Sequence, residues 1–231
     1  MIFKEKRLDY IGRGLIMKIW KAAKLDFKLL KYYYKSICFT LLIPLVFILL
    51  YRTLVVGISF AMFMMAMSSI YTFSVADKNN MQRLYRVLPI SVEELVCGKY
   101  LHVFLMGLLA VTVSSILQPV ILGLLGISAA IPEIIMAALA GMVLYITYVC
   151  FQIPAYYKFG PIKGRVFMYV PVAGILLTMF VVEKADINTS LLFSRIAENR
   201  YLGPCLLILY LAVIVVISIR TSVRITEKKE W

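Results

Sequence analysis

Long apolar blocks that contain almost no charged residue place this chain in a membrane. Hydrophobic residues make up 62% of the 231-residue sequence, whereas a soluble domain is about half apolar. The excess is concentrated in blocks that approach or exceed the ~20 residues that a helix needs to cross the hydrocarbon core. Because lipid offers the backbone no hydrogen-bonding partners, these blocks predict membrane-spanning α-helices.

Six such helices are predicted, and they define an all-α polytopic membrane protein. The apolar stretch from Ile37 to Phe73 is too long for one crossing, so we divide it at Arg52 and Thr53. The predicted spans cover residues 36–51, 54–74, 100–125, 134–156, 167–182 and 205–219. A short turn that contains Pro132 separates the third span from the fourth.

The distribution of lysine and arginine predicts the orientation. Only four of the 25 basic residues would lie outside if the N-terminus is cytoplasmic, namely Arg52, Lys184, Arg195 and Arg200. The others fall in residues 1–35, in the loops 75–99 and 157–166, and in the tail 220–231. By the positive-inside rule both termini are therefore cytoplasmic. We attribute the net charge of +13 to attraction for anionic lipid headgroups and not to nucleic-acid binding.

An amphipathic helix is predicted over residues 17–35, before the transmembrane domain of residues 36–219. Its lysines recur every three or four residues and alternate with apolar side chains such as Trp20 and Phe27. This pattern is typical of a helix that lies in the headgroup region. The alternative is a solvated helix packed on the base of the protein. We interpret residues 1–16 as an N-terminal extension, because Met17 can serve as a translation start.

The loop after the second span predicts a short helix followed by a capped second helix. The apolar residues of the first helix are spaced i, i+3, i+4 and i+7. They are Met81, Leu84, Tyr85 and Leu88. Pro89 would end this helix. Ser91 and Glu94 have the spacing of a capping box, and Ile90 and Leu95 that of a hydrophobic staple, so the second helix would run on into the third span.

The absence of certain residues excludes several functions. No predicted span carries Asp, Glu, Lys or Arg near its middle, whereas ion-coupled transporters need ionisable groups inside the membrane. His102 is the only histidine, so a histidine-rich metal site or intramembrane protease is not expected, and we predict no catalytic residue and no metal ligand. The sequence also lacks a P-loop signature. An ATP-driven function would therefore require a separate ATPase subunit.

The second and third spans carry the candidate substrate path. Methionine side chains are polarisable and adaptable, so the methionine-rich second span suits varied apolar ligands. The candidate residues are Phe60, Met64, Met67, Ser68, Thr112, Ser115 and Gln118. Lipid-facing packing and hydrogen bonds between helices are the alternatives for these side chains. Such a path favours an amphipathic peptide or a lipid-like substrate over a sugar or a nucleotide.

The chain resembles the six-span permease subunits of type-two ABC exporters. It is similar in particular to small permeases of Gram-positive bacteria that export phenol-soluble modulins and related amphipathic or antimicrobial peptides. The similar stretches are Asp77-Lys78-Asn79, Leu88-Pro89-Ile90-Ser91, Glu94-Leu95-Val96, Gly98-Lys99-Tyr100 and the residues from Met17 to Asp26.

The resemblance implies a transport subunit of the bacterial cell membrane, and not an enzyme. A separate ATP-binding cassette ATPase would bind ATP and Mg²⁺, and a second permease, identical or paralogous, would complete the transporter. Residues 17–35 would be the connecting helix, and residues 77–90 would hold the coupling helix. Its candidate ATPase contacts are Met81, Arg83, Leu84, Tyr85, Arg86, Leu88 and Pro89. The outer loop 183–203 would carry a short helix.

Two other functions compete with export. One is a membrane-embedded sensor or immunity protein that binds a toxic peptide without pumping it. The other is a membrane enzyme, which would need a polar catalytic cluster inside the membrane. The sequence gives no such cluster.

Overall fold

The computed structural model describes residues 17–79, 81, 85, 87, 90–184 and 202–229, and these residues form an all-helical bundle. The helices of this part of the chain are α1 (17–30), α2 (Tyr34–Tyr51), α3 (Leu54–Ser68), α4 (Ile70–Lys78), α5 (Val92–Leu124), α6 (Ile131–Gly164), α7 (Tyr169–Lys184) and α8 (Leu202–Glu227). Short 3-10 turns precede α2, at Lys31–Tyr33, and α7, at Arg165–Met168.

Six membrane crossings account for the lengths of these helices. Five segments of the described chain are long and apolar enough to span a bilayer: Tyr34–Tyr51, Leu54–Lys78, Val92–Leu124, Ile131–Val182 and Leu202–Glu227. The fourth has 52 residues, about 78 Å as a straight helix, against a hydrocarbon core of about 30 Å. Gly160, with φ of 79°, and the 3-10 turn before α7 interrupt it. We therefore divide it into two crossings, which agrees with the predicted six spans. The described helices confirm an all-α polytopic membrane protein.

The division of the first long apolar stretch is confirmed at the predicted place. α2 ends at Tyr51, and Arg52 adopts the left-handed conformation with φ of 52° and ψ of 29°. The Arg52 N–H donates to the carbonyl of Ile48 at 2.9 Å. Thr53 is extended and α3 begins at Leu54. This tight reversal brings α2 back against α3, where the rings of Phe47 and Phe60 stack with centroids 3.8 Å apart.

Several helix boundaries differ from the sequence interpretation: α6 continues to Gly164 through most of the predicted loop 157–166, and two further differences concern Pro132 and the end of α8. Pro132 lies in the first turn of α6 and not in a turn before it, because the first turn of a helix does not need the N–H that proline lacks. α8 continues to Glu227, so helix extends into the residues taken as a tail. Ser222 and Thr226 are buried there, and this packing holds the helical conformation beyond the apolar block.

The core lies around α3, which packs against α2, α5 and α6. Its buried residues on the facing sides include Ile58, Met62 and Met65 of α3 and Tyr145 and Ile153 of α6. Gly107 of α5 has no side chain where the Tyr145 ring passes. The Tyr145 hydroxyl donates to the carbonyl of Val103 at 2.6 Å, so the glycine permits a hydrogen bond that joins α5 to α6.

A second hydrogen-bonded contact joins α5, α6 and α8. The Ser218 hydroxyl of α8 donates to the carbonyl of Cys150 in α6 at 2.6 Å. The hydroxyl of Tyr100 lies 2.6 Å from Ser218 Oγ and 2.9 Å from Ser222 Oγ. Because the Ser218 proton is already used, Tyr100 donates to Ser218 and Ser222 donates to Tyr100. The three helices are therefore fixed to one another without a charged group.

We expect Gly107→Ala to destabilise the bundle by about 1–3 kcal/mol, because its methyl group would overlap the Tyr145 ring. Thermal unfolding in detergent, followed by the circular dichroism of the helices, measures the effect. Gly123→Ala in the same helix is the matched control, since a methyl group there has no neighbouring atom within 4 Å. Equal unfolding midpoints for the two variants would contradict the proposed role of Gly107.

Candidate functional site

The candidate site lies where α1, the loop after α4 and the start of α5 meet. The predicted capping box is present at the start of α5: Glu94 N–H donates to Ser91 Oγ at 3.2 Å, and Ser91 N–H donates to Glu94 Oε2 at 2.9 Å. The other carboxylate oxygen of Glu94 lies 3.4 Å from Lys18 Nζ of α1. One carboxylate therefore caps α5 and also attaches α1 to it.

The loop packs onto this junction through its apolar residues. Met81, Tyr85 and Leu95 form a small buried cluster, and Leu25 and Ile90 pack against it. Met81 and Tyr85 are two of the residues from which the loop helix was predicted, and both are helical and buried. Leu84, Leu88, Pro89, Arg83 and Arg86 lie outside the described residues, as do residues 1–16 and most of the outer loop.

A buried ion pair between Asp26 of α1 and Lys99 of α5 lies at the centre of the site. Lys99 Nζ is 3.4 Å from Asp26 Oδ1, and the two side chains are 4% and 3% exposed. The same ammonium lies 4.9 Å from the ring centroid of Phe73 in α4 and 6.0 Å from that of Tyr85. A cation over aromatic faces is attracted by their π-electrons. Lys99 thus contacts α1, α4 and the loop at once.

Burial dominates the electrostatics of this pair. It raises the pKa of Asp26 above the usual value, although the neighbouring Lys99 charge and hydrogen bond oppose the shift. Burial, and the nearby Asp26 carboxylate, also raise the pKa of Tyr85. A buried pair of this kind adds little net stability, but the loss of one partner leaves the other charge buried and uncompensated.

Small residues allow α1 to approach α5 closely enough for this contact. A Cβ atom built on Gly98 would lie 2.6 Å from the Cβ of Ala22. Ala22, Ala23 and Asp26 are buried along one face of α1. Asp26 and Lys99 both lie in stretches that carry the family resemblance, but the sequence did not predict their ion pair. One sequence signal for the packed face of α1 was available, because Asp26 follows Ala22 and Ala23 by one turn in a helix that is otherwise rich in lysine.

The other face of α1 is exposed and basic. Trp20 is 53% exposed, and Lys21, Lys24 and Lys28 are exposed beside it. The packed face matches the alternative interpretation, a helix on the base of the protein. The exposed face keeps the composition expected in a headgroup region, so placement of α1 at the membrane interface stays a prediction.

The predicted path residues of α3 divide into packed and partly exposed side chains. Met62 and Met65 are fully buried core residues, so part of the methionine-rich span serves packing. Phe60, Met64 and Met67 are half-buried. Ser68 is buried and donates to the carbonyl of Met64 in its own helix at 3.1 Å. Of the predicted path residues, Met64, Met67 and Ser68 therefore lie near the C-terminal end of α3.

The path residues of α5 do not share one face. Thr112 is exposed and donates to the carbonyl of Leu109 at 2.9 Å. Ser115 Oγ is buried, and no hydrogen-bond partner for it exists among the described residues. Gln118 is 1% exposed and lies against Gly57 of α3; its two amide atoms also lack partners within the described chain. The structure thus brings Gln118 and α3 together, but places Thr112 elsewhere.

An open cavity of about 440 Å³ lies near Gln118, at the end of the bundle opposite the ion pair. Leu54 of α3 and Leu122 of α5, one turn beyond Gln118, form part of its wall. Arg52 and Glu133 are the charged residues that line it. Sequence reasoning did not identify this cavity, because its wall combines two helix reversals, α2 to α3 and α5 to α6, that are distant from each other in sequence.

Other buried polar groups were also missed by sequence reasoning. Ser69 donates to Gln152 Oε1 at 3.2 Å, which joins the start of α4 to α6. His102 is fully buried, and its ring meets the edge of Phe27 with centroids 4.2 Å apart. Neither ring nitrogen has a partner in the part of the chain that is described. His102 therefore packs between α5 and α1.

Comparison with protein families identifies the chain. A family model described as "ABC-2 family transporter protein" matches residues 23–227. The chain belongs to this family. The match extends from α1 through α8, so the ABC-2 assignment includes both partners of the buried ion pair. An ABC-2 membrane domain is a transport subunit, and membership implies an ATPase partner. Comparisons with curated proteins and with solved structures give no match.

We expect loss of either charge of the buried pair to destabilise this ABC-2 protein strongly. Asp26→Asn or Lys99→Met should each cost about 3–5 kcal/mol, because the remaining group stays buried without its partner. The double variant Asp26→Leu/Lys99→Met should unfold within about 1 kcal/mol of the wild type.

Thermal unfolding in detergent measures both effects. Lys18→Met is the control, since Lys18 is half exposed in its pair with Glu94. Its replacement should lower the free energy of unfolding by less than about 1 kcal/mol. Single variants that unfold like this control would show that the Asp26–Lys99 contact does not hold α1 to α5.

Proposed function

We propose that this ABC-2 permease exports amphipathic or antimicrobial peptides, such as phenol-soluble modulins, from a bacterial cell. It would work with a separate ATP-binding cassette ATPase and a second permease copy, with both termini in the cytoplasm. The observation that carries the proposal is the Lys99 ammonium, which contacts Asp26 of α1, Phe73 of α4 and Tyr85 of the loop. A force on the loop can therefore reach α1, α4 and α5 together.

The outward face of the loop is the proposed contact with the ATPase. In a regular helix through this segment, at 100° per residue, Arg83 and Arg86 would lie on the side away from Met81 and Tyr85, which are buried. Val87 belongs to this outward side and is 82% exposed. An apolar residue this exposed next to Arg86 suits a partner surface better than water. Val87 is thus added to the proposed ATPase contacts Arg83, Leu84, Arg86, Leu88 and Pro89. Met81 and Tyr85, which were also predicted as contacts, are buried against Leu95 and would instead hold the loop on α5.

The proposed path runs between α3 and α5 toward the open cavity near Arg52. Gln118 supports it, because a buried amide without partners costs about 1–3 kcal/mol and can bond a peptide group when the helices separate. Pro119 has no N–H to donate to the carbonyl of Ser115. This carbonyl is therefore a second polar group without its helical hydrogen bond, close to Gln118 along α5. Phe60, Met64, Met67 and Ser68 would line the path from α3. Thr112 would reach it only from the exposed face of α5, at the contact with the second copy.

We expect Val87→Asp to abolish coupling, because a charge replaces the exposed apolar side chain of the proposed ATPase contact. Peptide export should fall at least about tenfold, and the ATPase should no longer co-purify with the permease. Val166→Asp is the matched control, since Val166 is also exposed at this end of the bundle.

Two results would contradict the coupling proposal. One is full export by the permease alone or on an ion gradient without nucleotide. The other is protection against a toxic peptide that survives an inactivated ATPase, which would favour the sensor or immunity function. Crosslinking from Arg83 or Arg86 identifies the bound partner directly.

We expect Gln118→Leu to separate stability from transport. Removal of a buried amide without partners should leave the unfolding midpoint unchanged or raise it, whereas export should fall by about fivefold or more if the amide binds substrate. Ile121→Leu, one turn further along α5 at a residue that packs on the core and does not line the cavity, is the packing control and should change neither quantity much. Unchanged export by Gln118→Leu would exclude this residue from the path.

A further inference from the structure

A long groove lies between α6 and α8 at the end of the bundle that carries the ion pair. Its volume is about 820 Å³. The residues that line it come from α6, α8 and the 3-10 turn before α7, and none comes from α3 or α5. The groove is therefore separate from the proposed substrate path.

The chemistry of the groove changes along its length. Apolar side chains such as Phe151, Phe159 and Ile217 form most of its wall, whereas Lys158, Lys228 and Lys229 are its charged residues. None of the described residues that line the groove is acidic. The Phe159 ring stacks on Phe167 with centroids 5.2 Å apart, and Lys158 Nζ lies 5.1 Å from the Phe159 centroid.

The length of the groove corresponds to one lipid leaflet. From Ile214 to Ile225, which both line it, α8 rises about 16 Å, and half of the hydrocarbon core is about 15 Å. Lys228 and Lys229 follow directly. The lysines lie at the same end as the ion pair, because the Phe73 ring is 5.0 Å from Tyr156 and 4.9 Å from Lys99 Nζ.

We infer that this groove binds an anionic phospholipid of the leaflet at the basic end. The headgroup phosphate would lie among Lys158, Lys228 and Lys229, and an acyl chain would lie along Phe151 and Ile217. Lysines near the membrane surface attract anionic lipid, and an open apolar groove of this length accepts a hydrocarbon chain. The bound lipid would bridge α6 and α8 beside Ser218, which also lines the groove. This inference goes beyond export and does not depend on it.

A second copy of the chain fits the groove less well. The chain carries a net charge of +13, so a symmetric contact here would bring lysines of like charge together in a medium of low dielectric constant. A phospholipid supplies the opposite charge and the apolar tail in one molecule. Charge complementarity therefore favours the lipid.

The test measures lipid retention by the purified full-length protein. Native mass spectrometry after incubation with equal amounts of phosphatidylglycerol and phosphatidylcholine should show about tenfold preference for phosphatidylglycerol. Phosphatidylglycerol should also raise the thermal unfolding midpoint more than phosphatidylcholine does. The triple variant Lys158→Gln/Lys228→Gln/Lys229→Gln should lose the preference and the additional stabilisation.

Two further variants make the result specific. Lys35→Gln/Lys78→Gln/Lys163→Gln removes the same charge from exposed lysines outside the groove and should keep the preference. Ile217→Trp fills the groove, keeps its lysines and should lower phosphatidylglycerol retention. Equal loss of preference in both triple variants would overturn the inference. So would an Ile217→Trp protein that retains the lipid but dissociates from its second copy, which would identify the groove as a contact between copies.

Discussion

The absence of water in hydrocarbon determines how this chain is built. Each backbone polar group there needs a partner inside the protein, which explains the long helices and the two-residue reversal at Arg52 and Thr53. The same constraint accounts for the hydroxyl contacts of Tyr100 and Ser218, which join three helices without charge. Charged residues therefore lie at the ends of the bundle, and a partner subunit that supplies energy would contact the bundle there.

α5 is the element that connects such an end to the interior. It is 33 residues long, about 50 Å as a continuous helix. Lys99 near its start holds the buried ion pair, and Gln118 lies about 28 Å further along the same helix. Because a packed helix transmits displacement with little loss, movement of the loop against Lys99 would be felt at Gln118. The capping box at Ser91 fixes where this helix begins and thus how the loop enters it.

Sequence reasoning predicted the features that depend on neighbouring residues and missed those that depend on distant ones. The length of the apolar blocks predicted the six spans, and Arg52 predicted the break between the first two. The spacing of Ser91 and Glu94 predicted the capping box at the start of α5. The Asp26–Lys99 pair joins residues 73 positions apart, and the Gly107–Tyr145 contact joins two separate helices. A local pattern can mark Asp26 as a residue of the packed face, but it cannot identify the partner in either contact. The end of α8 was missed for another reason: hydropathy falls at Arg220, but helical hydrogen bonding and packing at Ser222 continue beyond the lipid.

The buried polar groups without partners suggest why such a bundle can change shape. Within the described residues, Gln118 and the Gln152 amide nitrogen lie at contacts between helices and make no hydrogen bond there. Each such group costs about 1–3 kcal/mol in this packing, and an arrangement that pairs it recovers that amount. This packing therefore lies closer in free energy to an alternative packing in which these amides are hydrogen-bonded. Differences of a few kcal/mol are what ligand binding or a partner subunit can reverse. A bundle in which every buried polar group is hydrogen-bonded would favour one packing more strongly and would respond less to a force applied at Lys99.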